Sequence, residues 1–365
     1  MEAEPIAAVR AALLAVGRPK QETPNGSVAA HVKLARAFLA LGSVRRARDA
    51  YDSAYVHAAL PKRGAIDEER SQLDLLVSDW IDHPMRLCNL FSRVPRHLTP
   101  PVSAEVTRTD VSMVELSVSV FVGKGPPPRG IALYFHGNGE CADDLAHVAP
   151  RFHRVGLVLA VVEMRGYGAR SEEAPLLSAM LHDSERLLDD DCMSALLAAA
   201  GGLPRSTPLI CYGRSIGGHV AMHLCACALA LDSAVSISGL VLDSAVASVR
   251  HWTAELPHDD GGDSAGRPRV PGGLRTVGLL ENRAKLSGVC AHAASPLPTL
   301  ILHGSADALV PPFQASLLAR CAPHATLLVL SGRGHNDLMH APEYWPAVAD
   351  LAGRAFEYVG YTRRK

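Results

Sequence analysis

Three residues in the second half of the chain are of the types that carry out nucleophilic catalysis: Ser215, Asp307 and His335. Ser215 is the centre of GRSIG, in which a glycine stands two residues away on each side. A serine hydroxyl becomes a nucleophile when a histidine accepts its proton and an acidic residue orients that histidine. We therefore predict Ser215 as the nucleophile, His335 as the general base and Asp307 as the acid that fixes the imidazole.

The residues around Ser215 predict the backbone that such a nucleophile needs. An apolar run, LICY, precedes GRSIG, and a helical pattern, GGHVAMHL, continues from it. G-x-S-x-G between a strand and a helix indicates a sharp, strained turn that lifts the serine hydroxyl above a sheet. The alternative interpretation is a glycine-rich loop without a catalytic role.

A second glycine-containing stretch, HGNGE at residues 136–140, follows another apolar run. Acyl transfer needs N–H groups that stabilise an oxyanion, and we predict the amides of Asn138 and Ile216 as these donors. His136 is interpreted as a structural residue of this loop. The other residues predicted to contact the substrate are Gly137, Gly139, Glu140 and Arg214.

Apolar runs rich in Val, Ile and Leu precede each of these stretches and alternate with helical patterns. They predict an α/β domain with a mostly parallel sheet and helices on both faces. Because ligands bind at the carboxyl ends of parallel strands, residues far apart in sequence can meet at this edge. The predicted strands lie in MVELSVSVFVG, IALYFHG, GLVLAVVEMRG, TPLICYGRS, GLVLDSA, LPTLILHGSAD and ATLLVLSGRGH.

The N-terminal part of the chain has helical patterns and almost no strand signal, which predicts a small all-α region before the α/β domain. Residues 28–61 combine small and large apolar residues at helical spacing, with Gly42 between two helices and Pro61 after them. This hairpin resembles a single tetratricopeptide (TPR) unit; an arbitrary helical hairpin is the alternative. Because one unit cannot bury its faces alone, we expect it to pack on helical patterns at residues 3–17 and 66–82, or on the following domain.

The predicted domains are a helical region over residues 1–82, a proline-containing linker over 83–110 and an α/β domain over 111–365. An insertion at about residues 249–296 is where a lid is expected. Its centre, PHDDGGDSAGRPRVPGG, indicates a short flexible loop rather than a large apolar cap. We therefore expect a shallow pocket for short or conjugated acyl groups.

The motifs LYFHGNGE, RGYGARS, GRSIGG, HGSADALVPP and GHNDL resemble those of the compact, serine aminopeptidase-like α/β-hydrolases, over about residues 111–355. Monoacylglycerol lipase and the protein depalmitoylases are more distant relatives in the same superfamily. The resemblance implies the α/β-hydrolase fold, a triad in the chain order Ser, Asp, His, and an oxyanion hole formed by the Asn138 and Ile216 amides. One departure is Glu163-Met164, where relatives commonly have an aspartate and an aromatic residue.

Several other residues have alternative interpretations. Asp243 also follows a predicted strand and is the alternative acid, whereas Asp337 is interpreted as a loop-capping residue. His219 and His223 lie four residues apart on one predicted helix, which is a spacing of metal ligands, but the H-E-x-x-H pattern is absent. We predict no metal and no cofactor.

Composition argues against other classes of function. The net charge is −1 with scattered Lys and Arg, which gives no electrostatic footprint for nucleic acid or an anionic membrane. No apolar run approaches the ~20 residues that span a bilayer, and an acidic start with Arg10 inside its apolar stretch does not fit a secretory signal. Eight cysteines without a C-x-x-C pair indicate a reducing, cytoplasmic location.

The main hypothesis is a serine hydrolase that transfers the acyl group of an ester or thioester to water. Its substrate is expected to be a small acyl molecule or an acylated protein. One alternative is an aminopeptidase-like amide hydrolase, which needs an acidic group such as Glu140 to hold a free amine. Another is a non-catalytic adaptor whose helical region recruits a peptide or protein.

Overall fold

A sheet of eight strands lies at the centre of the molecule. The computed structural model describes residues 5–17, 24–77, 94–97, 104–235, 237–248, 282–292 and 296–358. The strands are β1 (Val94–Pro95), β2 (Val106–Met113), β3 (Leu116–Gly123), β4 (Gly130–Phe135), β5 (Leu157–Val162), β6 (Tyr167–Gly168), β7 (Leu209–Arg214), β8 (Ile237–Asp243), β9 (Thr299–Gly304) and β10 (Thr326–Leu330). Each of the predicted apolar runs contains a strand.

The strand order in the large sheet is β10-β9-β8-β7-β4-β5-β3-β2. The strands from β10 to β5 pair in parallel, and β3 and β2 are added antiparallel at one side. The short strands β1 and β6 form a separate parallel pair. This mostly parallel sheet confirms the predicted fold class. It also brings the carboxyl ends of β4, β7, β9 and β10 to one edge, where the loops with the predicted site residues begin.

The antiparallel strands differ from their prediction. MVELSVSVFVG was expected to be one half-buried strand, but a turn at Glu115, with φ +62°, divides the stretch between β2 and β3. The alternation of buried and exposed residues belongs to the edge strand β2, whereas β3 lies between β2 and β5 and is largely buried. Because β2 begins at Val106, and β1 also precedes residue 110, part of the predicted linker is strand.

Helices cover both faces of the sheet. The helices are α1 (Pro5–Gly17), α2 (Pro24–Leu41), α3 (Val44–His57), α4 (Leu60–Leu76), α5 (Ala142–Leu145), α6 (Ala149–Arg154), α7 (Leu177–Glu185), α8 (Asp190–Ala199), α9 (Gly217–Ala230), α10 (Asn282–His292), α11 (Phe313–Cys321) and α12 (Tyr344–Glu357). One face of the sheet packs against α6 and α12 through Phe152 and Tyr344, and the other packs against α7, α9 and α10.

The helical region precedes the first strand, as predicted, and α2 and α3 form the expected hairpin around Gly42, whose φ is +92°. Their contact face is buried at Ala35, Ala47 and Tyr51, where small and large residues interlock. Helix α4 begins at Leu60, earlier than expected, because a proline in its first turn suits a helix start. The hairpin is compatible with a TPR-like unit, and its identity as a repeat stays a prediction.

The helical region shares one continuous hydrophobic core with the sheet face that α7 and α9 cover. Helix α1 packs on α9 and α10, and the Arg10 guanidinium donates to the Leu229 carbonyl oxygen at 2.7 and 2.9 Å. The α2–α3 hairpin itself packs on α1 and α4, and it also contacts α7 and α9, so both expected kinds of contact are found within the described residues. The predicted lid at residues 249–296 lies mostly outside the described residues, and its described part contains α10. No helix in the described ranges is both long and apolar enough to span a bilayer.

Candidate active site

Ser215 lies on the turn between β7 and α9 with φ +52°, a strained conformation for a residue with a side chain. Its flanking glycines are required by close backbone contacts. A Cβ atom on Gly213 would lie 2.4 Å from the Gly218 Cα, and one on Gly217 would lie 2.1 Å from the Phe135 carbonyl oxygen. The G-x-S-x-G spacing therefore follows from the crowding of this turn against the end of β4.

The three residues predicted to act together are linked by hydrogen bonds. His335 Nε2 is 3.0 Å from Ser215 Oγ, and His335 Nδ1 is 2.7 Å from Asp307 Oδ2. Each residue follows a different strand, β7, β9 or β10, and the parallel pairing brings the three loops together. The imidazole thus contacts the hydroxyl with one nitrogen and the carboxylate with the other, as a serine–histidine–acid relay requires.

The carboxylate of Asp307 is held in place by its own loop. Its Oδ1 accepts the backbone N–H groups of Leu309 and Val310 at 3.0 and 2.8 Å. Burial by itself raises the pKa of Asp307, but the hydrogen bonds from His335 and the Val310 amide bring that pKa below its ordinary value. The side chain therefore stays negative beside an imidazole that becomes positive when it takes a proton.

The two predicted oxyanion donors lie on loops at this edge. Ile216 caps the N-terminal end of α9, and its N–H has no acceptor within the described ranges. A free amide at the start of a helix is suited to an anion. Asn138 follows β4, and its side-chain oxygen accepts the Tyr167 hydroxyl at 2.6 Å, which ties the HGNGE loop to β6. The donor role of the Asn138 amide stays a prediction.

Known proteins resemble this chain in the part that carries the turn. Residues 126–258 match the family described as serine aminopeptidase, S33. Protein bem46 of Schizosaccharomyces pombe is 25% identical over 234 residues, which cover 62% of this chain and 69% of that protein. Monoacylglycerol lipase of Mycolicibacterium smegmatis is 26% identical over 241 residues, 59% of this chain and 84% of the relative. In this segment and in its fold, the chain is similar to the α/β-hydrolases.

A carboxyl esterase from Bacillus coagulans, crystallised with glycerol, aligns over 70% of this chain and 100% of its own chain, with 14% identity and a TM-score of 0.49. The segment that matches the S33 family contains the HGNGE loop and Ser215, but it ends before Asp307 and His335. The assignment of the acid and the base in this chain therefore depends on their geometry.

The HGNGE loop is fixed by buried contacts that the sequence analysis described only in outline. His136 Nδ1 lies 2.9 Å from the Gly137 carbonyl oxygen, and its Nε2 accepts the Met164 N–H at 3.1 Å, which fits the structural role expected for His136. Glu163 accepts the Ala142 and Ala169 N–H groups at 2.7 and 2.9 Å. The glutamate that departs from the family pattern thus connects the end of β5 to α5 and to the turn after β6. Its signal in sequence was a charged residue directly after a buried strand.

Glu140 and Arg214, two of the predicted substrate contacts, bind each other. Arg214 Nη1 donates to Glu140 Oε1 at 2.9 Å, and both side chains are largely buried. Burial opposes the charge on Arg214, but Glu140 brings its pKa above the ordinary value. Glu140 Oε1 also accepts the Gly137 N–H. A Cβ on Gly137 would lie 2.7 Å from Arg214 Nη1, which gives a steric reason for that glycine, and Gly139 has φ +83°.

The alternative acid, Asp243, has other partners. It is buried at the end of β8, and its Oδ2 accepts the Tyr344 hydroxyl at 2.5 Å and the Tyr212 hydroxyl at 3.4 Å. Burial raises the pKa of Asp243, although the Arg214 charge opposes that effect. Asp337 accepts the Gly334 N–H at 2.7 Å, in agreement with a loop-capping role. Asp307, rather than Asp243, is therefore the carboxylate that contacts His335.

Two groups of side chains in the described residues have donor atoms close enough to hold a metal ion. In one group, burial raises the pKa of the Cys141 thiol to about 12, and its sulfur already accepts a backbone N–H at the start of α5. The other group is buried beside Arg46, whose charge opposes a further cation. It includes Cys227 and Glu185, so His223 has a cysteine and a carboxylate beside it, whereas the sequence analysis expected no such companions for this histidine pair. The groups are His97, Cys141 and Asp144, and Glu185, His223 and Cys227.

Proposed function

We propose that this protein is a serine hydrolase that cleaves an ester or thioester by transfer of the acyl group to Ser215 and then to water. The observation that carries the proposal is the hydrogen-bond chain from Ser215 Oγ through both nitrogens of His335 to Asp307. The match of residues 126–258 to a hydrolase family and the similarity to a protein named monoacylglycerol lipase support hydrolysis of an ester.

In the first half of the reaction, Ser215 Oγ attacks the carbonyl carbon while His335 Nε2 takes the hydroxyl proton. The negative charge that develops on the carbonyl oxygen is stabilised by the amides of Ile216 and Asn138. Asp307 keeps Nδ1 protonated and stabilises the imidazolium ion. His335 then returns the proton to the alcohol or thiol, which leaves, and the acyl group remains on Ser215.

In the second half, water replaces the leaving group. His335 removes a proton from that water, the hydroxide attacks the acyl-enzyme, and the same oxyanion donors stabilise the second tetrahedral intermediate. The proton then returns from His335 to Ser215 Oγ, and the carboxylic acid is released. Both halves use only groups of this chain and water.

An ester or thioester is favoured over an aminopeptidase substrate by the contacts of Glu140. An aminopeptidase-like site needs a carboxylate that is available to a free amine, whereas Glu140 is paired with Arg214 at 2.9 Å and accepts the Gly137 amide. Alcohols and thiols are also better leaving groups than amines. A small acyl molecule or an acylated protein, met in the cytoplasm, remains the predicted substrate, and a partner for the helical region remains a prediction.

Labelling with a fluorophosphonate probe tests the nucleophile. We expect the probe to modify Ser215 in the folded protein, and we expect Ser215→Ala to abolish both labelling and hydrolysis of p-nitrophenyl acetate. Ser244→Ala is a matched control, because Ser244 is also buried after a strand with φ +48°. It should label like the wild type. Absence of labelling at Ser215 would contradict the proposal and favour the adaptor alternative.

Turnover of p-nitrophenyl acetate should also exceed that of aminoacyl-p-nitroanilides, compared at equal substrate concentrations. Faster cleavage of the anilides, lost in Ser215→Ala, would assign the same nucleophile to an aminopeptidase-like hydrolase.

A further inference from the structure

Arg214, the residue between Gly213 and the proposed nucleophile, connects three loops of the site. One guanidinium nitrogen, Nη2, donates to the backbone carbonyl oxygen of His335 at 3.1 Å and to Asn336 Oδ1 at 2.7 Å. The other, Nη1, donates to Glu140 Oε1 at 2.9 Å. A single side chain on the turn that carries Ser215 therefore holds the loop that carries the base and the loop after β4.

The contact of Arg214 with the base loop is made at the residue that reacts. Its acceptor is the carbonyl of His335 itself, and the next residue supplies the second acceptor. Arg214 thus fixes the backbone of His335 relative to the turn that carries Ser215. Asp307 fixes the imidazole ring of His335 through Nδ1, at 2.7 Å. The 3.0 Å contact between His335 Nε2 and Ser215 Oγ is the distance that these two restraints determine.

Glu140 extends the same connection to the predicted oxyanion loop. Its Oε1 accepts both the Arg214 guanidinium and the Gly137 N–H, next to Asn138 in sequence. The side chains of Arg214 and Glu140 are 12% and 17% exposed, so solvent screens their interaction less than it screens a surface pair. The charged pair therefore connects the nucleophile, base and oxyanion loops without contacting the reacting atoms.

We propose that Arg214 is a positioning residue for acyl transfer, which acts through the His335 carbonyl and Glu140 to keep the base and the oxyanion loop in register with Ser215. This inference rests on the proposed serine-hydrolase function. It assigns Arg214 and Glu140 to the geometry of the reaction instead of to substrate binding. A displacement of about 1 Å in a reacting group can lower a rate by about 100-fold, so the loss of such a restraint affects turnover.

Steady-state kinetics of Arg214→Met and Arg214→Lys, with p-nitrophenyl esters of acetate, butyrate and octanoate, test the proposal. We expect Arg214→Met to lower kcat by about 10- to 100-fold by the same factor for every ester, with KM changed less than about threefold. Arg214→Lys keeps the charge but cannot form the forked contact, so an intermediate kcat is expected. A residue that binds substrate would instead raise KM, to an extent that depends on the acyl chain.

A smaller truncation separates positioning from a loss of fold. Arg214→Ala should regain part of its kcat when guanidinium is added at low, non-denaturing concentration, because the ion can fill the space of the lost side chain. Asn336→Ala, which removes a single acceptor, should lower kcat by a few fold. Arg46→Met is the matched control, because Arg46 also pairs with a glutamate but lies in the helical region, and its kcat should stay at the wild-type value.

The outcomes distinguish this inference from the proposed function. If wild-type Ser215 is labelled by a fluorophosphonate and hydrolyses the esters, but folded Arg214→Met has wild-type kcat, the positioning role is wrong and the hydrolase function stands. An effect confined to KM would also contradict positioning. If the wild type is neither labelled nor active, the proposed function is wrong and the role of Arg214 is overturned with it.

Discussion

Among the described residues, two buried pairs of a carboxylate and an imidazole lie within hydrogen-bond distance at under 3.0 Å, and one of these two is arranged for catalysis. Asp307 lies 2.7 Å from His335, and Glu185 lies 2.9 Å from His223. In the first pair the two imidazole nitrogens have different partners, Asp307 on Nδ1 and Ser215 on Nε2. A proton taken at one nitrogen is therefore stabilised by the charge at the other.

In the second pair, the two nitrogens of the imidazole do not have separate partners. His223 Nε2 faces both Glu185 Oε1 and the thiol of Cys227, at 2.9 and 3.5 Å, while its Nδ1 has no hydrogen-bond partner among the described residues. Glu185 is further bound by Ser43 at 2.6 Å and Arg46 at 2.5 Å. A nucleophile, a base and an acid are all present, but they compete for one nitrogen and have no surface exposure.

Because both pairs contain the same types of residue, residue types alone do not define a catalytic triad. The pair at the sheet edge lies on loops, where the side chain of His335 keeps 9% of its surface exposed. The second pair joins α7 and α9 to Ser43 and Arg46 of the helical region, and its side chains are as buried as the core. Its arrangement fits a structural function, the attachment of the helical region to the α/β domain.

Exchange of the two histidines for asparagine gives the largest expected contrast. His335→Asn removes the base, and we expect kcat for p-nitrophenyl acetate to fall by about 10⁴-fold or more. His223→Asn should leave the kcat of the folded protein within about threefold of the wild type, while its unfolding temperature falls. A comparable loss of kcat in folded His223→Asn would mean that the second pair takes part in the reaction.

We expect the same contrast when the two carboxylates, Asp307 and Glu185, are replaced by their amides. Asp307→Asn keeps the shape of the side chain but disturbs the tautomer of His335, so we expect kcat to fall by about 10⁴-fold. Glu185→Gln leaves Arg46 and His223 without their charged partner, and breaking such a buried pair costs about 3–5 kcal/mol in the free energy of unfolding. Urea unfolding followed by circular dichroism measures the second effect. Equal loss of stability in both variants would remove the contrast.

The sequence predicted the first pair and missed the second for a physical reason. The stretches that carry the first pair can be recognised in the sequence because they need unusual backbone directly after a strand. Examples are the positive φ of Ser215 and the crowded position of Gly217 in GRSIG. Glu185 and His223 lie within ordinary helical patterns, and their contact arises only when α7 packs on α9. Local sequence patterns therefore predicted the strained turns. Contacts between side chains of different helices could not be predicted from such patterns.

The same limit applies to boundaries and to individual partners. The parallel strands were predicted by their apolar runs, but β2 was missed because Arg108 and Asp110 give an edge strand the polarity of a linker. Arg214 was expected to face the substrate, since nothing in the sequence indicates that Asn336, 122 residues later, would accept its hydrogen bond. The residues of the candidate site could be predicted from local patterns, whereas the hydrogen bonds among them arise only from the tertiary structure.

The second pair, unlike the first, is expected to make the stability of the protein depend on pH in the acid range. Although burial opposes the charge, hydrogen bonds and charges from His223, Arg46 and Ser43 bring the pKa of Glu185 to about 2, from an ordinary value of 4.5. A carboxyl whose pKa is lowered by folding stabilises the protein above the unfolded value, and that contribution is lost as the pH falls from about 4.5 towards 2. We expect the contribution of Glu185 to the free energy of unfolding to reach about 3 kcal/mol above pH 4.5.

Unfolding of the wild type and Glu185→Gln between pH 3 and pH 6 measures this contribution. The difference in unfolding free energy between the two proteins should shrink as the pH falls. Glu115→Gln is the control, because Glu115 pairs with Arg45 on the surface, and its difference from the wild type should stay below about 1 kcal/mol. A constant difference between the wild type and Glu185→Gln would contradict the lowered pKa of Glu185.

Lys285 gives the smallest and most specific expectation. It is buried beside Glu185 and Cys227, its Nζ has no hydrogen-bond partner within the described ranges, and burial lowers its pKa to about 7 from 10.5. Between these two values the unfolded chain binds more protons than the folded protein, so this residue makes stability rise with pH. Lys285→Met removes the cost of burying the amine, and it should raise the unfolding free energy by about 1–3 kcal/mol at pH 7.

The gain from Lys285→Met should decline as the pH approaches 10, because the lysine of the wild type then becomes neutral in the unfolded chain as well. The activity of the variant should not change, since Lys285 lies at the second pair and not at the sheet edge. Thermal unfolding at pH 7 and pH 9.5 measures the expected decline. A destabilised Lys285→Met would instead mean that the ammonium ion balances the charge of Glu185, so that the second pair depends on two cationic partners, Lys285 and Arg46.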